Sequence, residues 1–336
     1  MTFNRPTFSP YASWNPNGIT FTTSSIIGSS PYEILINNDN TIYIPNRSIN
    51  RILIWSNNAT IPKGNISINS SNLFSVFLDK NNAIYTDISS SYYGINKWSI
   101  NSTNPIQMIY SCTPCYDIFI DIANNLYCSM TGNHQVLKKS LNISSYTYET
   151  VAGVPGVTGS TARYLYNPYG IFVDTNFDLY VADCSNNRIQ FFPPNQFDGT
   201  TLVGSTVPGT ITLSCPTDVK LDADKYLFIV NTNNHRIIGS GPNGFRCIIG
   251  CSGSGAGSNT LNTPWSMSFD SAGNIYVTDL ANNRIQKFIL LYNKSRKFVK
   301  LIRIYFTTFY NHSTFLQYSK NSHRNNLETG WNYVCR

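Results

Sequence analysis

The sequence predicts an all-β fold, a β-propeller of six four-stranded blades closed by an N-terminal strand that completes the last blade. Three observations support this prediction. Only 12% of the residues are charged while 42 are Asn, whereas long solvated helices use Glu, Lys, Arg and Ala. An apolar pair, Ile or Leu followed by Tyr or Phe, recurs six times, each time five residues after an Asp or Asn. Six three-strand units are followed by only five fourth strands, and one further strand-like run lies ahead of the first unit.

Each repeat unit predicts three strands, called a, b and c here, and a fourth strand, d, lies between units. Strand a ends at an Asp or Asn whose side chain can cap the backbone of the a–b turn two residues on. These residues are Asn37, Asp79, Asp121, Asp174, Asp222 and Asp270. Only five d strands follow the six triplets, so we expect the run at 17–23 to pair with the sixth triplet. That pairing closes the ring and removes the exposed sheet edges.

The units closely resemble NHL repeats. The clearest copies are PYGIFVDTNFDLYVADCSNNRIQFF at 168–192 and PWSMSFDSAGNIYVTDLANNRIQKF at 264–288. The resemblance covers about residues 14–290, is loosest in the second unit, and implies a six-bladed propeller. We therefore divide the chain into an N-terminal extension (1–13), the propeller (14–290) and a C-terminal tail (291–336).

The formal charge of +7 lies entirely in the tail, where eight basic residues face a single acid. Residues 1–290 carry no net charge, so the propeller lacks the basic excess that nucleic-acid binding requires. We expect no nucleic-acid partner, and RNA binding is a disfavoured alternative. Membrane contact is expected only through the tail, if at all, because its basic residues can share one face of a helix.

Two neighbouring positions of strand a are candidates for ligand contact. The first is aromatic in five of six units, at Tyr32, Phe74, Tyr116, Tyr169 and Trp265. Inner strands surround the channel of a propeller, so these side chains are expected at a channel mouth. They can stack on a sugar or hold a peptide, or they can fill the wedge between blades.

The second position carries carboxylates in units one, three and five, at Glu33, Asp117 and Asp218. Three carboxylates about a third of a turn apart suit Ca²⁺, which takes six to eight oxygen ligands. A metal-dependent hydrolase or lactonase is therefore an alternative function. In the lactonases that this architecture resembles, however, the acid lies one residue earlier, and one residue on a strand changes the face. Solvated acids at strand ends are the other interpretation.

The remaining polar signals indicate structural roles. His134 and His235 fall in a column otherwise filled by Asn, which is typical of a turn residue that accepts hydrogen bonds. The eight cysteines are expected to form local disulfides, such as Cys247 with Cys251, and Cys112 or Cys115 with Cys128. No complete catalytic motif is present, so we assign no catalytic residue.

The sequence therefore favours a non-catalytic propeller that binds a protein, peptide or glycan through one face and the channel mouth. We expect no obligatory cofactor, with Ca²⁺ as the alternative. The cysteine clusters favour an extracellular or secreted location. The N-terminal residues lack an apolar signal-peptide core, so this location requires an incomplete N-terminus. A cytoplasmic location is the alternative.

Overall fold

The computed structural model describes residues 3–68, 73–89, 93–98, 104–111, 113–143, 147–241 and 243–293. These residues form six four-stranded antiparallel sheets and one two-stranded pair. Before the first blade come β1 (Ser13–Trp14), β2 (Ile19–Thr23) and the single-turn helix α1 (Ser24–Ile27). Within the described residues, no helix has the length and apolar character needed to cross a membrane.

The blades follow the chain in order, with strand a innermost. Blade 1 is β3 (Leu35–Ile36), β4 (Ile42–Asn46), β5 (Arg51–Trp55) and β6 (Gly64–Ser67). Blade 2 is β7 (Val76–Leu78), β8 (Ile84–Ser89), β9 (Tyr93–Trp98) and β10 (Ile106–Ser111). Blade 3 is β11 (Ile118–Ile120), β12 (Asn125–Met130), β13 (Gln135–Ser140) and β14 (Glu149–Gly153).

The second half of the ring repeats the same arrangement. Blade 4 is β15 (Pro168–Val173), β16 (Leu179–Asp183), β17 (Arg188–Phe192) and β18 (Thr200–Gly204). Blade 5 is β19 (Pro216–Leu221), β20 (Leu227–Asn231), β21 (Arg236–Gly241) and β22 (Gly244–Ile249). Blade 6 has β23 (Pro264–Phe269), β24 (Ile275–Asp279) and β25 (Arg284–Phe288), and β26 (Leu290–Tyr292) follows.

The N-terminal strand closes the ring as predicted. β2 is the outermost strand of blade 6, with Ile19 opposite Lys287 and Thr23 opposite Arg284. A second latch lies beside it, where β1 pairs with β26. In this pair Tyr292 lies opposite Ser13 and Leu290 opposite Trp14, and one compact unit spans Met1–Asn293. The rest of the predicted tail lies outside the described residues.

The a–b turns form as predicted in all six blades. In each turn one side-chain oxygen of the leading Asp or Asn accepts hydrogen bonds from the backbone N–H groups two and four residues on, at 2.7–3.1 Å. The residue three positions on has a positive φ in every turn. Three of these residues are Asn and one is Gly, which tolerate that conformation best.

Apolar side chains between neighbouring sheets form the core. The b strands are buried along their length in blades 4, 5 and 6. Large side chains such as Trp55, Phe172, Phe192 and Phe288 are 0–1% exposed. Burying a side chain of this size stabilises the fold by about 1.5–3 kcal/mol. Strands buried on both faces explain why these segments are nearly continuous apolar runs.

Three disulfides are present among the described residues. Cys247–Cys251 and Cys115–Cys128 confirm two of the expected local pairings. The third, Cys184–Cys215, joins the b–c turn of blade 4 to the segment that enters blade 5 and was not predicted. Cys112 and Cys335 lie outside the described residues. Three disulfides fit an oxidising environment.

Candidate functional site: the axial channel

The start of the inner strand is irregular in blades 4, 5 and 6. The pairing register shifts between Pro168 and Ile171 in blade 4, and at the corresponding step in the other two. A bulge bends and twists a strand locally. Consequently Tyr169 and Gly170, which a regular strand would point in opposite directions, both contact other blades.

The five predicted aromatic residues form a closed circuit, called the aromatic collar below. Neighbouring ring centroids lie 4.4–5.2 Å apart around the whole circuit. Rings at this separation are in contact, so the collar covers this mouth of the channel instead of lining an opening. The remaining unit, in blade 5, contributes Thr217, which is buried and donates a hydrogen bond to the carbonyl oxygen of Trp265 at 2.7 Å. The indole of Trp265 therefore reaches Tyr169 across blade 5.

A cation lies against the collar. The guanidinium carbon of Arg47 is 4.7 Å from the ring centroid of Tyr32 and 4.3 Å from that of Phe74. Behind Phe74, the fully buried Asp87 accepts hydrogen bonds from the N–H groups of Phe74 and Ser75, both at 2.7 Å. Burial raises the pKa of Asp87 to about 8, although Arg47 and the two hydrogen bonds favour the ionised form. The collar face therefore combines half-exposed rings with a positive charge.

The next column of strand a, called the acid layer, joins neighbouring blades. Its members are Glu33, Ser75, Asp117, Gly170, Asp218 and Ser266. Three of them accept a hydrogen bond from the inner strand of the following blade: Ser75 Oγ from Ile118 N (3.1 Å), Asp117 Oδ2 from Ile171 N (2.8 Å) and Asp218 Oδ2 from Met267 N (3.0 Å). Buried backbone N–H groups need a partner. The acids of this column therefore have a structural function that the sequence did not reveal.

Three groups of the acid layer meet at a lysine. Ser266 Oγ lies 2.7 Å from Glu33 Oε1 and 3.0 Å from Asp218 Oδ2. Lys220 Nζ forms an ion pair with Asp218 Oδ1 at 2.8 Å. Because a hydroxyl carries one proton, both contacts of Ser266 are satisfied if Glu33 is protonated and donates to Oγ.

The pKa shifts agree with this arrangement. Burial raises the pKa of Glu33 well above its ordinary value, and that of Asp117 to about 7, against the attraction of Lys220. Burial opposes the charge on Lys220, but Asp218, Asp117 and Glu33 outweigh it and raise the pKa of the lysine. The cluster thus holds one ammonium among three carboxyl groups, and burial favours the protonated form of Glu33.

The residues present do not fit the predicted calcium site. An ammonium group 2.8 Å from Asp218 repels a divalent ion at that carboxylate. Asp117 and Asp218 already use an oxygen each on a backbone N–H, and Glu33 Oε1 accepts from its neighbour Ile34 N at 3.0 Å. Among the described residues, no group of three or more His, Cys, Asp or Glu side chains is arranged to hold a metal ion.

The opposite mouth of the channel is blocked by the N-terminal segment. The ring of Phe3 lies edge-on to Phe77, Phe119 and Phe172 of the inner strands, at centroid distances of 5.6–5.8 Å. Between Phe3 and the acid layer remains a cavity of about 30 Å³, enough for one or two water molecules. Residues 3–13, predicted only as an extension, are therefore part of the channel structure.

The segment is held by side chains as well as by its backbone. Asn4 Nδ2 donates to the carbonyl oxygens of Asn37 and Phe269, at 2.8 and 3.3 Å. Arg5 donates to the carbonyl oxygen of Asp222 at 2.7 Å. The buried Phe8 donates its N–H to Asp222 Oδ2 at 3.1 Å. Three blades are thus tied together across this face.

The two histidines act as turn residues, as predicted. His134 and His235 have φ values of 57° and 54°, like Asn187 at 54° in the same column. Their Nδ1 atoms accept the N–H of Asn167 and Thr263, at 3.3 and 3.0 Å, in the next blade. Asn187 and Asn283 make the same bond through Oδ1, at 2.8 Å. Burial lowers the pKa of His134, which keeps the accepting nitrogen free.

Sequence reasoning missed four residues of this site: Phe3, Arg47, Asp87 and Lys220. Lys220 had a signal, because it lies two residues after Asp218 and so on the same side of the strand, in a column otherwise apolar or Ser. Asp87 also stands out, because Pro45, Ser129, Ala182, Val230 and Thr278 occupy its column. Arg47 also stands out, because its column otherwise holds Ser89, Thr131, Cys184, Thr232 and Leu280. Phe3 lies ahead of the repeats, and only the structure places it.

Comparison with known proteins supports the fold. The profile of the NHL repeat matches residues 261–288, and no curated protein sequence matches the chain. Among solved structures, a Bacteroides thetaiotaomicron protein of unknown function aligns with a TM-score of 0.64 and 14% identity, over 82% of this chain and 76% of that one. Virginiamycin B lyase from Staphylococcus aureus aligns at 0.57 and 12%, over 83% and 100%. A Xanthomonas campestris gluconolactonase aligns at 0.55 and 12%, over 86% and 100%.

Identities this low carry the fold and not the activity. The matched profile falls on blade 6, the blade that the N-terminal strand completes. The other five sheets repeat its strand order, its a–b turn and, where described, its left-handed b–c residue. The chain is a six-bladed β-propeller whose sixth blade matches the NHL repeat.

Proposed function

We propose that this protein is a non-catalytic binding propeller whose protein, peptide or glycan ligand contacts the aromatic collar. The observation that carries the proposal is that collar rings from five blades form one continuous surface, in which Tyr32, Tyr116, Tyr169 and Trp265 are partly exposed and Phe74 is 9% exposed. A surface of this kind offers apolar ring faces for stacking. Tyrosine hydroxyl groups, an indole N–H and the Arg47 guanidinium add hydrogen-bond donors around it.

The interior of the channel supports the same proposal. The collar covers one mouth and Phe3 blocks the other. The acids that would serve a hydrolase accept backbone hydrogen bonds or surround Lys220. A lactonase in the channel would need these groups and an open path to them. The described arrangement favours recognition at the face over catalysis at the axis.

The disulfides support an extracellular setting for this binding. Three cross-links in a protein of this size are typical of proteins that fold in an oxidising compartment. A ligand displayed on a cell surface or in the extracellular matrix is consistent with an aromatic binding face. We include this location in the proposal.

Peptide and glycan arrays probed with the full chain test the proposal. We expect binding that Trp265→Ala and Tyr169→Ala each weaken by tenfold or more, a loss of about 1.4 kcal/mol. The matched control is Tyr148→Ala, which removes a 48% exposed ring beside the outermost strand of blade 3. Binding that survives both collar variants, or that Tyr148→Ala removes equally, would contradict the proposal.

Tryptophan fluorescence gives a second readout. Trp14, Trp55 and Trp98 are 0–5% exposed, so Trp265 is the partly exposed indole among the described residues. A ligand at the collar should change the emission of the wild-type chain, and Trp265→Phe should abolish the change. A ligand that alters both proteins alike binds elsewhere.

A further inference from the structure

We infer that Lys220 is the resident cation of this channel, so that its ammonium group holds Glu33, Asp117 and Asp218 together in the position where a metal ion would stand. The cation on the axis of the propeller would then be a side chain of strand β19 and not a bound ion. This inference concerns the interior of the channel and does not depend on any ligand at the collar.

The first argument is the column in which Lys220 stands. The corresponding inward positions of the other five blades are apolar or hydroxylic: Leu35, Phe77, Phe119, Phe172 and Ser268. Most of them surround the 30 Å³ cavity together with Lys220. A lysine among phenyl rings is costly unless its charge is paired. Its partner must therefore lie toward the acid layer.

The second argument is reach. Lys220 follows Asp218 by two residues on one strand, so both side chains leave it on the same side. Nζ lies 2.8 Å from Asp218 Oδ1, with the lysine side chain 19% and the aspartate side chain 3% exposed. Glu33 of blade 1 and Asp117 of blade 3, each two blades away, line the same cavity as Lys220, and their charges help to raise the pKa of the lysine. The lysine thus serves carboxyl groups from three blades.

The third argument is that Lys220 and a divalent ion exclude each other. Ca²⁺ requires six to eight oxygen ligands at 2.3–2.6 Å, and an ammonium within hydrogen-bond distance of one candidate ligand occupies that coordination position. Removing the ammonium should leave Glu33, Asp117, Asp218 and the Ser266 hydroxyl around an unfilled space. The second carboxylate oxygens of Glu33, Asp117 and Asp218, which take none of the backbone hydrogen bonds described above, should then bind Ca²⁺, with water completing the coordination.

Thermal unfolding of the full chain in millimolar Ca²⁺ and in EDTA tests this. We expect the Tm of the wild-type chain to differ by less than about 1 °C between the two, and Lys220→Ala to lower the Tm in EDTA by about 5–10 °C. Ca²⁺ should then restore several degrees to Lys220→Ala but not to Lys220→Ala/Asp218→Asn. The control, Lys138→Ala, removes a lysine whose partner Glu149 is 65% exposed, and it should show neither effect.

Two results would overturn the inference. One is a Ca²⁺-dependent rise in the Tm of the wild-type chain that Asp218→Asn abolishes, which would make the channel a metal centre. The other is a Lys220→Ala chain as stable in EDTA as the wild type. If Lys220→Ala does not fold, equilibrium dialysis of the wild-type chain against labelled Ca²⁺ decides. Equal binding by wild type and Asp218→Asn supports the inference, and a loss in Asp218→Asn refutes it.

Discussion

Replacing Gly170 by Ala tests whether blades 4 and 5 meet as closely as the structure indicates. A Cβ atom on Gly170 would lie 2.6 Å from Asp218 Cα and 2.6 Å from the carbonyl oxygen of Thr217. Both are backbone atoms, which cannot rotate away as a side chain can. The inner strands of the two blades would have to separate, and the contact between Asp218 and Lys220 would move with them.

The expected cost is about 3 kcal/mol, the upper end of the range for overpacking a filled core. For a domain of this size the Tm should fall by roughly 5–10 °C. The matched control is Gly64→Ala in β6, where a Cβ meets no atom within 4 Å. That change should be neutral or stabilise by about 0.4–1 kcal/mol through the unfolded chain.

Urea unfolding of the two variants, followed by tryptophan fluorescence, measures both differences in one assay. The reasoning requires Gly170→Ala to lose stability while Gly64→Ala does not. If Gly170→Ala unfolds within about 1 kcal/mol of the wild type, the close approach of the two inner strands is wrong. A loss of similar size in Gly64→Ala would instead show a general intolerance of the larger side chain.

Three further predictions concern other parts of the ring. Burial raises the pKa of Asp87 to about 8. The protonated carboxyl therefore contributes fully to stability at pH values below the ordinary pKa of an aspartate, and this contribution is lost as the pH rises through 8. Asp87→Asn should therefore stabilise the fold by about 1–3 kcal/mol at pH 8 and little at pH 4, and a pH-independent difference in urea unfolding would contradict this. Replacing Cys184 and Cys215 by Ser should lower the free energy of unfolding by about 3–4 kcal/mol, because their sequence separation is 31. Loop length would not explain the effect if removing Cys247–Cys251, which closes a shorter loop, cost as much. Phe3→Ala removes three ring contacts, so amide exchange of residues 3–9 should rise about tenfold, and unchanged exchange would show that the segment does not depend on this ring.

The features that could be predicted from the sequence are those whose residues recur in all six repeat units. The a–b turn is specified by a local rule, since one Asp or Asn caps the backbone four residues on in every unit. The position shared by His134 and Asn187 is also specified locally, because it requires a residue with a positive φ whose side chain accepts a hydrogen bond. Even closure by β2 followed from counting strands, because a sheet edge without a partner is unfavourable.

The features that it missed depend on contacts between blades or on single exceptions. The disulfide Cys184–Cys215 spans two blades, whereas the expected pairings assumed that each blade closes its own. Glu33, Asp117 and Asp218 were chosen because they recur in one column. Asp117 and Asp218 each accept an N–H of the following blade, whereas Glu33 contacts Ser266. When the same position is compared in all six units, a recurring residue type becomes visible, but the contacts of its side chain do not.

The same distinction bears on where a ligand can act. A propeller that works at its axis needs an open mouth and unsatisfied polar groups beneath it. Here five rings meet over one mouth, Phe3 fills the other, and the charged groups between them are paired with Lys220 or with backbone. The collar residues are repeated like the structural columns, but their rings stay largely half-exposed and Arg47 adds a charge that the repeat does not require. Closure of the ring does not constrain the exposed side of the collar, so residues there can change without opening the ring. We therefore place the proposed binding on the collar face.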